Sequence, residues 1–254
     1  CNSLLKEEHL ADKRCNDICS LFAQNKSKQN NQTQSNIQNT SMESCGAQNQ
    51  KIINSDVSNG VIVHSDLLLN YLKNNYPELY FVSSTTKVIT DFQELLKDLK
   101  ETSNQENAAE DFKYVVPDFR LNKEFDKLKT LSEEQKEKVE FLCNECCWFG
   151  CKDRKVCYEA VSHKNLGEDF EHYCKAPDSS GGYQFSKAME NPGFISVENI
   201  KNVYLPMGFT NFKIEGRGLG SALVLEFLLY YMTKPEYQIH VREKIYLDNM
   251  LDLF

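Results

Sequence analysis

No apolar run in this chain of 254 residues approaches the length needed to span a bilayer. The most apolar stretch, Leu219 to Met232, is short and carries Glu226, so it reads as a buried helix. Positive charge is in deficit. Lys and Arg number 29 against 37 Asp and Glu, a net charge of −8, and nucleic-acid binders usually carry a basic face. DNA is therefore not expected as a partner, nor is a membrane. A small molecule is at least as good a substrate as RNA, which would need a local basic cleft. No Gly-rich dinucleotide turn follows any apolar strand, and no Ser–His–Asp order, zinc-protease helix motif or nucleotide loop is present. A protease would have no visible machinery. Cys1 to Arg14 is polar and charged, with no signal peptide. The chain starts without Met, so a missing N-terminus is expected.

Cysteine, by contrast, is abundant. Six of the ten cysteines lie between Cys143 and Cys174, at Cys143, Cys146, Cys147, Cys151, Cys157 and Cys174. Without an export signal they point to a reducing, cytoplasmic setting, where clustered thiols more often bind metal than form bridges. Cys147-x3-Cys151 places two thiolates close together, and Cys174 can return to them across a helical segment. Cys143 lies at a strand end, and Cys146 and Cys157 are spare candidates. A structural zinc site uses two compact pairs, and only one close group stands out. The scattered spacing leans toward an iron–sulfur cluster, with zinc and free or bridged thiols as alternatives.

The organisation is that of one domain, residues 1–254. Leu10, Cys15, Ile18 and Leu21 share one face of an early helix. Residues 24–60 are rich in Asn, Gln and Ser and nearly free of apolar side chains, a composition expected of a disordered insertion. A rhythm follows. Strands at Val61–His64, Leu79–Val82, Phe112–Val116, Lys138–Leu142 and Asn211–Ile214 alternate with helices at Asp66–Asn74, Asp91–Glu101, 123–130, Ser196–Tyr204 and Leu219–Met232. Ser132-Glu-Glu-Gln135 fits a capping box. This alternation indicates parallel βαβ units. Without a dinucleotide turn, a (β/α)8 TIM-barrel-like fold is favoured over an open sheet, its first strand or strands lying outside this chain.

In a barrel, chemistry gathers at the strand C-termini. His64, Ser83 to Lys87, Asp118, Arg120, the cysteines and Glu215 to Arg217 all fall there. His64 is a candidate base, or caps a neighbouring loop. Ser84 and Lys87 are candidates for holding a substrate anion, or serve the turn. Asp118 and Arg120 bind substrate or each other. His163 and His172 flank the cysteine loop and can supplement the thiolates. Trp148 and Phe149 can shield a cluster from water. In Phe212-Lys-Ile-Glu-Gly-Arg217, Glu215 and Arg217 can position a carboxylate or phosphate, or form an ion pair.

The string Lys213-Ile-Glu-Gly-Arg217 resembles the signature of the collagenase-like peptidase family U-thirty-two. So does its setting: helix Val197–Tyr204, Met207-Gly208-Phe209, a strand, then an apolar Tyr-rich helix. The resemblance spans roughly Val61 to Thr233. It implies a barrel that holds a four-iron, four-sulfur cluster on four cysteines and assists hydroxylation of RNA bases or of a small molecule, with a redox partner protein. Glu215 and Arg217 of the string are catalytic candidates, and His64, by its place at a strand end, is a third. Cys147, Cys151 and Cys174 are the corresponding ligands. The family's later cysteine has no counterpart between Phe185 and Glu198, and Cys143 is taken as the fourth. A zinc-stabilised scaffold without chemistry is the alternative, and a peptidase is a weaker one.

Overall fold

A computed structural model describes residues 3–33, 59–100, 111–177, 179, 183–216 and 220–250. After a short 3-10 turn, Glu7–Ala11, the elements in order are α1 (Lys13–Thr33), β1 (Gly60–Val63), α2 (Asp66–Asn75), β2 (Tyr80–Ser83), α3 (Phe92–Asp98) and β3 (Tyr114–Val115). Then come α4 (Phe125–Leu128), α5 (Glu133–Lys138), β4 (Glu140–Leu142), α6 (Arg154–Asn165) and α7 (Phe185–Glu190). The order closes with α8 (Val197–Asn199), which runs on as a π-helical turn through Tyr204, and with β5 (Asn211–Lys213), α9 (Ser221–Met232) and α10 (Pro235–Met250).

The chain is mixed α/β. β1, β2 and β3 pair in parallel in that order, and β4 pairs in parallel with β5. A single parallel bridge, Val115 to Val139, joins the two ladders. Neighbours in space are thus neighbours in sequence, with no reversal of strand order. The eight-stranded barrel expected from the sequence is not what the described residues amount to: five strands are present in two short sheets, and they do not close.

Local chemistry explains several element starts. Asp91 caps α3 by accepting from the amides of Gln93 (2.8 Å) and Glu94 (3.1 Å). Ser132 and Gln135 form the expected capping box of α5. Gly60 opens β1 because a Cβ there would run into the Tyr80 ring. The expected insertion needs correction at its edges. Helix α1 carries on through Thr33, and Gly60 already belongs to β1; residues 34–58, with Cys45, lie outside the described residues.

The core lies between the strands and the helices that cross them. Val63, Leu72, Leu95, Val115, Phe141, Ile195, Tyr204 and Phe209 are among its buried members. Phe141 meets Tyr204 and Phe209 edge-on, with ring centroids 4.9 and 5.0 Å apart. One buried side chain ties the second half together. Asn122 Nδ2 donates to the carbonyls of Leu142 (2.8 Å) and Gly193 (2.7 Å), and the Asn122 backbone carbonyl accepts from Tyr204 Oη (2.6 Å). Gly193 must be glycine for this approach, since a Cβ would stand 2.6 Å from the Phe119 carbonyl oxygen. No helix among the described residues is long and apolar enough to cross a membrane.

Candidate active site

Parallel strands deliver all their C-terminal ends to one edge of the array. Asp118 follows β3, Asn144 to Cys147 follow β4, and Glu215 follows β5. The first turn of α6 brings Arg154 to the same place. A buried charge cluster results.

Arg154 is its centre. Its Nη2 pairs with Glu145 and donates to Tyr158 Oη (2.8 Å), while its Nε lies 3.4 Å from Asp118. Its guanidinium also sits over the Phe119 ring, 4.9 Å from the centroid. Arg154 is only 3% exposed, and its Nε makes no hydrogen bond. Asp118, fully buried in its side chain, is also held by Arg120 Nε at 2.7 Å. Arg120 in turn donates to the Cys151 carbonyl (2.8 Å). Two anions, Asp118 and Glu145, thus balance two guanidiniums.

Glu215 is the carboxyl left over. An Asn144 clasp fixes its backbone: Glu215 N donates to Asn144 Oδ1 (2.8 Å), and Asn144 Nδ2 to the Glu215 carbonyl (3.2 Å). Tyr183 closes the clasp by donating to the Asn144 carbonyl (2.8 Å). The Glu215 carboxyl is an electrostatic neighbour of Glu145. Burial, then the negative charge of Glu145, push the Glu215 carboxyl up to about 8, against the opposing pull of Arg154. Glu145 pairs with Arg154 and accepts from the Cys147 amide (2.8 Å). The arrangement sets a carboxyl of raised proton affinity near a second carboxyl, with Glu145 buried and Glu215 partly exposed. Such a pair can give a proton to a bound molecule and take one back.

The other expected site residues fall differently. His64 Nδ1 contacts Thr86 Oγ1 (2.8 Å), which also meets Ser84 Oγ (2.9 Å). Burial and then Lys87 lower the His64 pKa, so the ring is neutral at pH 7. Ser84 caps the turn through the Thr86 amide. Lys87 pairs with Asp98 (3.0 Å) and covers the Phe112 ring. Asp118 and Arg120 bind each other, the second of the two roles open to them. Arg217 lies outside the described residues, and its pairing with Glu215 with it.

The expected thiolate set, Cys143, Cys147, Cys151 and Cys174, is not brought together. Cys143 is a core residue, 1% exposed, its thiol directed at the Phe141 carbonyl (3.6 Å) and pushed up to about 12 by burial. Cys147 is likewise pushed up to about 12 by burial, against the opposing pull of the Arg154 charge. Cys151 is buried and Cys174 exposed. Among the described residues, no three His, Cys, Asp or Glu side chains form a group able to hold a metal ion. A four-iron cluster needs four converging thiolates, and this set does not fit one.

Sequence reasoning missed Glu145, Asn144, Arg154, Tyr158 and Tyr183. One signal was available. A cation in the first turn of a helix opposes the macrodipole, so Arg154 needed a local reason to be there. Comparison with protein-family models, curated proteins and solved structures finds no match.

Proposed function

We propose that this chain is an enzyme that works by proton transfer at the strand ends, with Glu215 as the acid and Glu145 as its carboxylate partner. The convergence of these two carboxyls, with Arg154 paired to Glu145, carries the reading. Glu215, protonated near neutral pH, donates its proton to a basic atom of the substrate as negative charge develops there. The resulting carboxylate recovers a proton in the return step, so none is consumed. Glu145 and Arg154 hold Glu215 in place and set its proton affinity, and Asn144 fixes its backbone.

The sequential parallel order of β1 to β5 supports a (β/α)8-type architecture, in which the edge bearing Glu145 and Glu215 is the catalytic one. The Lys213-Ile-Glu-Gly-Arg217 resemblance supports hydroxylation-type modification of an RNA base or a small polar molecule. No step is routed through an iron–sulfur cluster, because the expected thiolates do not fit one.

The test compares cells expressing the wild type with cells expressing Glu215→Gln. Mass spectrometry of RNA nucleosides and of quinone precursors reads the product, and circular dichroism checks the fold. A hydroxylated product made by the wild type and lost in the folded variant is expected. Absence of any such product from both pools with the wild type would sink the hydroxylation reading. Equal yields from the two proteins would remove Glu215 from the chemistry.

A further inference from the structure

The loop after β4 presents two large aromatic side chains at the edge where the carboxyls converge. Trp148 is 46% exposed and Phe149 37%. Tryptophan is highly buried on average, so an open indole at a candidate site is informative. Shielding a cluster was the role open to these rings in the sequence, and the thiolates do not fit one. The loop itself is held from several sides. The Cys147 amide donates to Glu145 (2.8 Å), and the Cys147 carbonyl accepts from Asn191 Nδ2 (2.9 Å). The Cys151 amide donates back to the Trp148 carbonyl (3.0 Å), which closes a turn, and the Cys151 carbonyl accepts from Arg120 (2.8 Å). Gly150 lets the indole lie against this turn, since a Cβ there would stand 2.8 Å from Trp148 Cζ2. Phe149 meets Phe119 edge-on with centroids 5.8 Å apart, and the Arg154 guanidinium lies 4.9 Å from the centroid of the same Phe119 ring. Both exposed rings are thus fixed beside the Glu145–Arg154 pair before anything binds.

We infer that Trp148, with Phe149 beside it, is a stacking platform for a planar aromatic ring of the substrate, and that it selects which molecules reach Glu215. The inference rests on the acid–base reading of Glu215 and narrows its substrate class. An indole held in one orientation attracts flat π-systems by offset stacking, and does so with little regard to the identity of the ring. A saturated, puckered ring cannot lie flat on it. Holding the loop in advance removes the ordering cost that a mobile aromatic would meet on binding. The two guanidiniums of the cluster are already balanced by Asp118 and Glu145, so the edge favours a neutral ring over an anionic one. A nucleobase and a free phenolic ring share this chemistry. The contact is one of positioning, since stacking aims the ring at the carboxyl without taking part in the proton transfer.

Trp148 is the single tryptophan of the chain, so its fluorescence, excited clear of the 12 tyrosines, reports the platform directly. The full chain is titrated with uridine and with phenol, each set against its saturated counterpart, dihydrouridine and cyclohexanol. Saturable quenching by the planar member of each pair and none by the puckered member is expected. Equilibrium dialysis then follows the variants. Trp148→Ala should weaken binding of the planar probe by ~5–150-fold, the contribution of one ring stacked on an aromatic side chain. Trp148→Phe, which keeps a ring, should retain most of the affinity and guards against misfolding as the cause. Tyr237→Ala, at an exposed aromatic on α10, should bind as the wild type does. A short single-stranded RNA that binds more tightly than uridine, and loses this with Trp148→Ala, identifies the ring as a nucleobase. Phenol binding with no gain from the RNA identifies a free aromatic molecule. The proposal is overturned if planar and saturated probes behave alike, if none of them binds saturably, or if Trp148→Ala keeps the wild-type affinity. Binding is read here without turnover, so the platform stands or falls separately from the acid role of Glu215, which the product assay of Glu215→Gln decides.

Discussion

Arg154, in the first turn of α6, pairs with Glu145, which follows β4, and the Glu215 carboxyl, just past β5, is an electrostatic neighbour of both. Two acids and one guanidinium cannot all be satisfied as ions in a buried place. The proton on Glu215 resolves the excess, and it gives the site its chemistry.

That proton makes stability depend on pH in a defined direction. The folded-state pKa of Glu215, about 8, lies above the ordinary carboxylate range. Its favourable contribution is complete below the unfolded value and is lost as pH rises through about 8. Denaturant unfolding between pH 5 and pH 9 should show the wild type weakening across this window. Glu215→Gln, whose amide cannot ionise, should flatten that slope. Parallel curves for the two proteins would mean that Glu215 is ionised throughout.

Arg154→Met should be among the most damaging single changes. It leaves Glu145 without its guanidinium partner and Asp118 with Arg120 alone, both still buried. Breaking one side of a buried ion pair costs about 3–5 kcal/mol. Arg154→Lys should recover only part of this, since an ammonium cannot serve Glu145, Asp118 and Tyr158 with one planar fork. Urea midpoints at pH 7 decide the matter; a loss below that of an exposed substitution would show the cluster to be dispensable.

Asn122 and Gly193 are a linked pair. Asn122→Ala strips a donor from two carbonyls, at about 1–3 kcal/mol for each one left unpaired. Gly193→Ala drives a Cβ into the Phe119 carbonyl at 2.6 Å and should push that segment away from Asn122. The double variant should cost less than the sum of the singles, because both disrupt the same contact. Strict additivity in thermal melts would argue against the link.

Ser132→Ala offers a gentler check. It removes the capping box of α5 and should cost about 1 kcal/mol. Exchange of the Gln135 amide should quicken in the variant. Unchanged exchange would mean that the Ser132 hydroxyl does not hold it.

Much of the fold was legible in the residues. The apolar runs at Val61, Phe81, Val115 and Phe141 all became parallel strands, since a strand buried on both faces needs a continuous apolar segment. Ser132 and Gln135 stated their capping box outright, because both partners lie within one turn. The candidate edge was legible too: Asp118, the cysteine segment and Glu215 do follow strand ends. Individual roles were not. Cys143 looked like a ligand beside five other cysteines, yet it directly follows β4 and packs with the core. Asp118 and Arg120 looked open to substrate, yet Asp118 is wholly enclosed by two guanidiniums.

By itself, then, the sequence determined the alternation of strands and helices, the starts of α3 and α5, and the edge where polar residues collect. These are set by side-chain period and by hydrogen bonds within a few residues. The tertiary structure alone decided that Glu145, Arg154 and Glu215 share one buried pocket of charge, and that Trp148 and Phe149 stand exposed beside it. Proton affinity and ligand choice depend on distance through space and on how much water is excluded, and neither quantity is encoded in the spacing of residues along the chain.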